Sequence, residues 1–105
     1  MANPHAGEVE VTVDGIPRIA RLTLGALAEL EEELGEDSLV ALVSRFEKGE
    51  VSARDVLALL VAGLRGGGWR VNRADLLAAE IAGGPLAAAR AAALLLTRAF
   101  GSPAP

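Results

Sequence analysis

The chain has no cysteine, no tyrosine, one histidine, one tryptophan and two phenylalanines in 105 residues. Without cysteine there is neither a disulfide framework nor a thiolate metal site, which fits a reducing compartment. The lone histidine, His5, sits in the lead-in and leaves no Ser–His–Asp arrangement to build. One tryptophan and six scattered arginines in the second half form neither a stacking platform nor a basic stripe, so nucleic-acid binding is not expected. Long apolar runs are lacking too. The richest, Leu86 to Leu96, is broken by Arg90 and is too short to span a bilayer. The opening "MANPHAGEVEV" carries no basic n-region and no apolar h-region, so the expectation is a soluble cytoplasmic protein without a secretory signal.

What is abundant is small and aliphatic. Hydrophobic residues make up 51% of the chain, with 21 alanines and 17 leucines among them. Such a composition favours packed helices over a sandwich of strands. The length suits one domain, residues 1–105, with a single modest core. Charge is uneven. Residues 1–50 carry 4 basic and 11 acidic side chains; residues 51–105 carry 6 basic and 3 acidic. An acidic front and an arginine-bearing back can attract each other within a molecule, between copies, or across to a partner.

Along the chain, "EVEVTV" alternates strictly and places Val9, Val11 and Val13 on one face. Asp14-Gly15 then signals a tight turn, and "IPRIARL" returns as a second strand. A two-residue loop sets Val11 opposite Arg18 and Val9 opposite Ala20; a three-residue loop brings Ile19 inward instead. With the shorter loop the core face is Val9, Val11, Val13, Ile16, Ala20 and Leu22, with the Arg18 stem over the rim. Pro17 marks an edge strand, and the exposed edge makes self-association an expectation. The hairpin thus covers residues 7–22 and a helical bundle residues 23–100.

Five helices follow. Thr23 caps the first, which buries Leu27, Leu30 and Leu34 and ends at Gly35. Asp37 is the expected cap of the second, whose stripe is Leu39, Leu42, Val43 and Phe46, with Gly49 as its stop. Ser52 and Asp55 open the third as a capping box, and "VLALLVAGL" makes it the most buried helix, closed by "RGGG". Asn72 caps a short fourth helix running through Ile81, with Leu77, Ala78 and Ile81 inward. After Gly83-Gly84-Pro85 the last helix, Leu86 to Phe100, carries Leu86, Ala89, Ala93, Leu96 and Phe100 at a/d spacing. "GSPAP", residues 101–105, reads as a disordered tail. The fold class is mainly α with an N-terminal β-hairpin.

Three stretches invite a chemical reading. "AELEEELGEDSL" packs six carboxylates into ten residues, but it lacks the alternating ligands and tight-turn glycine of a calcium loop, so it reads as a solvated face. "GEDSL" resembles the Gly-x-Asp-Ser-Leu of acyl carrier proteins, which would make Ser38 a phosphopantetheine site; the hairpin start and the non-acidic helix after it depart from carriers. "GLRGGGWR" lacks the lysine and hydroxyl of a phosphate loop and reads as a helix stop, with Trp69 either capping the core or anchoring a partner. No catalytic residue, cofactor or metal ligand emerges, and the expectation is a protein that is not an enzyme.

The order of segments as a whole resembles the gene-transfer-agent and phage tail assembly chaperone family. The likeness begins in "GEVEVTVDGIPRIARLTLGALAELEEELG", where Leu24, Ala26, Leu27, Leu30, Glu31 and Gly35 match the family's Leu/Thr-x-x-Ala-Leu-x-x-Leu-Glu and glycine. It continues through "FEKGEVSARDVLALLVAGL", the glycine joint and a last helix ending "LLLTRAF", about residues 7–100 in all. Pro17 and Arg18 depart from it. The resemblance implies a non-enzymatic protein that binds the tape measure protein during tail assembly, with the tail tube protein as a second candidate partner. The best candidate surface for that partner is the last helix, with Arg90, Leu94 and Arg98 at i, i+4, i+8 and with Leu95, together with Trp69. Leu94 and Leu95 lie off the a/d stripe, so either they widen the core stripe or at least one points to a partner. A structural tail or connector subunit is the alternative.

Overall fold

A computed structural model describes residues 2–35 and 38–100. After a single 3-10 turn, Pro4–Ala6, come β1 (Glu8–Val13) and β2 (Ile16–Arg21), then α1 (Leu24–Leu34), α2 (Leu39–Glu47), α3 (Ala53–Gly66), α4 (Arg73–Leu77) and α5 (Gly84–Phe100). The strands pair antiparallel with Val9 opposite Ala20, Val11 opposite Arg18 and Val13 opposite Ile16. This is the two-residue-loop register. Both turn residues have positive φ, 50° at Asp14 and 80° at Gly15, as a type I′ connection needs. Val9, Val11, Val13, Ala20 and Leu22 enter the core together. Ile16 does not; it is 52% exposed. Its partner Val13 is covered from the β1 side by an isolated bridge to Ile81, a cover that Ile16 on the opposite strand lacks.

The hairpin edges are covered in part: neighbours reach both ends of β1 and the Ile19–Arg21 end of β2, while Glu10, Ile16 and Pro17 stay exposed, as the edge-strand reading of Pro17 expects. Along β1, Thr12 C=O accepts from Ala82 N–H, and Asp14 N–H donates to Glu80 C=O. Asp14 Oδ1 takes the Glu80 N–H in return, at 2.8 Å. At the other end of β1, Arg98 donates to the Glu8 carbonyl. Along β2, the C-terminal end of α3 lies directly on the backbone: a Cβ on Gly66 would sit 2.0 Å from the Arg21 oxygen, and one on Gly67 would sit 1.8 Å from the Ile19 oxygen. The "RGGG" segment is therefore more than a helix stop. Its missing side chains let α3 seat on the strand.

The central position of α3 follows from its sequence. Ala58, Leu59, Leu60, Ala62, Gly63 and Leu64 are all buried, and the helix packs against α1, β2, α5 and α4. Gly63 brings α5 close, since a Cβ there would stand 2.7 Å from Leu95 Cδ1. Helix starts are set by side-chain caps: Thr23, Ser38, Ser52 and Asn72 each accept from a backbone N–H of the first turn. The cap of α2 is Ser38; Asp37, expected in that role, lies outside the described residues, as does the 101–105 tail. Ser52 accepts from the Asp55 N–H, while the Asp55 carboxylate turns to Arg45 on α2.

The fourth helix is shorter than the periodicity suggests. It stops at Leu77, so Leu77 and Ala78 face outward and Leu76 is the buried residue. The cause is the unpaired backbone of β1, which recruits residues 80–82 as an extended segment and removes them from the helix. In α5 the core stripe is Ala88, Ala91, Ala92, Leu95 and Leu96, rotated from the expected a/d set. Of that set only Leu96 is buried; Ala89 and Ala93 are half-buried, and Leu86 and Phe100 are exposed.

Candidate docking surfaces

Among the described residues Ile16, Leu24, Val40 and Leu77 are exposed singly, and two larger apolar surfaces stand out. The first is the outer side of α5. Its sequence offers two apolar stripes, and the close approach permitted by Gly63 gives the core to the alanine-rich one. The two ends of the heptad stripe are left at the surface, with Leu86 63% and Phe100 51% exposed, while its Leu96 is in the core. Leu94, 42% exposed, forms a neighbouring ridge beside the exposed Arg90.

The residues expected to meet a partner therefore separate. Arg90 and Leu94 share the outer side of α5. Leu95 does not join them: it is 0% exposed, a core side chain packed where Gly63 makes room. Arg98 is partly buried and serves as a clasp on the Glu8 carbonyl. Trp69 is half-buried at the core margin, with the Arg18 guanidinium 4.0 Å above its ring centroid. Of the two expectations for Arg90, Leu94 and Leu95, the structure answers with one leucine in and one out.

The second surface is a groove between α1 and α3 that closes at the start of α4. Leu30, Leu57, Ala58, Val61 and Ala62 form its apolar lining, with a volume of about 190 Å³. Arg65 reaches Glu29 at 3.1 Å and Arg73 reaches Glu33 at 2.9 Å, so two ion pairs stand on its rim. Arg65 is further oriented by the Val71 carbonyl. Sequence reasoning assigned Glu29 and Glu33 to a solvated face. Their partners stand 36 and 40 residues away, and no local pattern marks such a pairing.

Neither surface has the make-up of a chemical centre. The groove is below the ~300–1,000 Å³ typical of small-molecule sites. Among the described residues no group of three or more His, Asp or Glu is placed to hold a metal ion. Ser38 is exposed and its hydroxyl accepts the Ala41 N–H at 3.1 Å, a helix cap; Glu36 and Asp37 of the carrier-like motif lie outside the described residues. Among the described residues no helix is long and apolar enough to cross a membrane.

No curated protein and no solved structure matches the chain. The model of a family described as "Phage tail tube protein, GTA-gp10" matches residues 6–102, nearly the whole length. That family is defined by a place in a phage tail and not by a reaction. An N-terminal hairpin buried under an alanine-rich bundle, with apolar surface left over on its last helix, is the form in which this chain belongs to the phage tail and gene-transfer-agent family GTA-gp10.

Proposed function

We propose that this protein is a tail assembly chaperone that binds the tape measure protein and keeps it soluble while the tail tube is built. The observation carrying this reading is the part of the α5 heptad stripe left outside the core, the exposed Leu86 and Phe100 with the half-buried Ala93 between them. A tape measure is a long chain of amphipathic helices, and a helix-in-groove partner reads such a stripe through anchors at i, i+3, i+4 and i+7. Exposed leucine and phenylalanine in one line are also a solubility liability unless a partner covers them. The alanines between them, Ala89 and Ala93, allow a second helix to approach closely.

The test is co-expression with a tape measure segment that is insoluble alone. A soluble complex is expected, and Leu86→Asp with Phe100→Asp should abolish it without unfolding the chain, because both side chains are already in solvent. A segment that stays insoluble with both proteins well expressed, or a double variant that captures it as well as the native chain, overturns the reading. The family's description as a tail tube protein favours a second reading, a subunit retained in the tail. Mass spectrometry of purified particles separates the two: a chaperone is absent or far below the copy number of the tube. Carrier function at Ser38 would instead show as a covalent mass gain after incubation with a phosphopantetheine transferase.

A further inference from the structure

We propose that the groove between α1 and α3 receives the Arg90–Leu94 ridge of α5 from a second copy of this chain, so that copies join head to tail. The groove supplies the apolar half of the fit. Its volume of about 190 Å³ is lined by Leu30, Leu57, Ala58, Val61 and Ala62. Dry apolar space of ~150 Å³ already admits a benzene-sized group, so one projecting leucine fits. Leu94 is that leucine: it is partly exposed, and the half-buried Ala87 and Ala93 flanking it do not hold an incoming surface away.

Charge supplies the other half. Helix α1 carries four glutamates, Glu29, Glu31, Glu32 and Glu33, and no cation. Helix α5 carries Arg90 and Arg98 and no acid, and Arg90 is the exposed one. Seating Leu94 in the groove sets Arg90 against the acidic bank of α1. The rim pairs Arg65–Glu29 and Arg73–Glu33 lie at the surface, Arg65 about one third exposed and the other three side chains about half, and surface pairs contribute little against re-pairing.

Geometry forbids the same contact within one molecule. Gly63 of α3 faces Leu95 of α5, whereas the groove is lined by Leu57, Ala58, Val61 and Arg65 from the other side of α3. Ridge and groove thus look in different directions, and a contact between two different patches is heterologous and propagates into a ring or filament. The stripe assigned to the tape measure centres about 100° around α5 from Leu94. Leu86 and Phe100 of that stripe lie outside the ridge, and Ala93 alone borders both surfaces, so this inference is tested separately from that reading.

The experiment is sedimentation velocity of the full chain over a concentration series, at low and high salt. Concentration-dependent association that weakens with salt is expected for the native chain. Leu94→Asp removes the ridge and Val61→Asp spoils the groove, so each alone should be monomeric. Mixed, they should form a dimer that grows no further, since one still has a groove and the other still has a ridge. Val61 is half-buried, so the surface variant Glu33→Arg accompanies it and should weaken association severalfold with an unchanged circular dichroism spectrum. A native chain that is monomeric at every concentration overturns the proposal, and loss of tape measure capture in Val61→Asp would then give the groove to that partner. Association that survives Leu94→Asp overturns it as well, by placing the interface elsewhere.

Discussion

Arg45 of α2 holds the carboxylate of Asp55 on α3 from two sides, Nε to Oδ2 at 3.0 Å and Nη2 to Oδ1 at 2.9 Å. Asp55 is 3% exposed, the one buried ionised group among the described residues. A carboxylate there is tolerated because the guanidinium fork meets it bidentately while Ser52 completes its surroundings. The pair ties α2, whose only fully buried residue is Leu42, to the central helix.

Breaking this pair from one side should be costly. Arg45→Met is expected to destabilise the chain by about 3 kcal/mol in urea denaturation, because it leaves a buried charge without its partner. Adding Asp55→Ala to that variant should recover part of the loss. Burial pushes the Asp55 carboxyl up, but the hydrogen bonds and charge of Arg45, helped by Ser52, outweigh it and hold it below its ordinary 3.8. With a lowered folded value, the contribution is complete above the unfolded value and disappears as pH falls through the folded one. Native and Asp55→Ala stabilities should therefore converge only in acid, below about 3.8. Curves that stay parallel throughout the acid range below about 3.8 would show that the pair contributes no linkage.

The glycines at the end of α3 should be unequal to the other glycines of the chain. Gly66→Ala and Gly67→Ala drive a Cβ to within 2.0 and 1.8 Å of strand carbonyl oxygens, so backbone must move. Each is expected to cost about 1–3 kcal/mol as an overpacking change. Gly25→Ala in α1 is the control: its Cβ meets nothing nearer than Thr23 Oγ1 at 3.9 Å. It should stabilise by about 0.5–1 kcal/mol through helix propensity. Equal effects at all three positions would mean that α3 does not seat on β2.

Trp69 reports on Arg18 directly, because it is the single tryptophan. Arg18→Ala should uncover the indole, shift its fluorescence to the red and cost about 1 kcal/mol. Arg18→Met should do less. It keeps the stem over the ring and removes a buried Nε that has no hydrogen-bond partner. Unchanged emission in Arg18→Ala would show that the guanidinium does not cover the ring in solution.

Local patterns in this chain determined much by themselves. Alternating valines around Asp14-Gly15 specify the hairpin, because a period of two flanks a positive-φ turn, but two loop lengths left two registers open and the folded chain took the one that sets Val11 opposite Arg18. Thr23, Ser52 and Asn72 open their helices where the capping rules place them, and α3 is central because its sequence is apolar on nearly every side. Those signals act over a few residues, so they survive in the sequence. Three outcomes depended instead on groups far apart in the chain. Residues 80–82 left the helical pattern because β1 had backbone to satisfy some 70 positions earlier. Leu95 entered the core and Leu86 and Phe100 stayed out because Gly63 lets α5 approach on its alanine side, a choice between two stripes that periodicity alone leaves equal. The Glu29–Arg65 and Glu33–Arg73 rim arose only when α1 was laid against α3 and α4. Short-range backbone and capping preferences are written residue by residue, whereas the identity of a surface is decided by which faces the packing has already used.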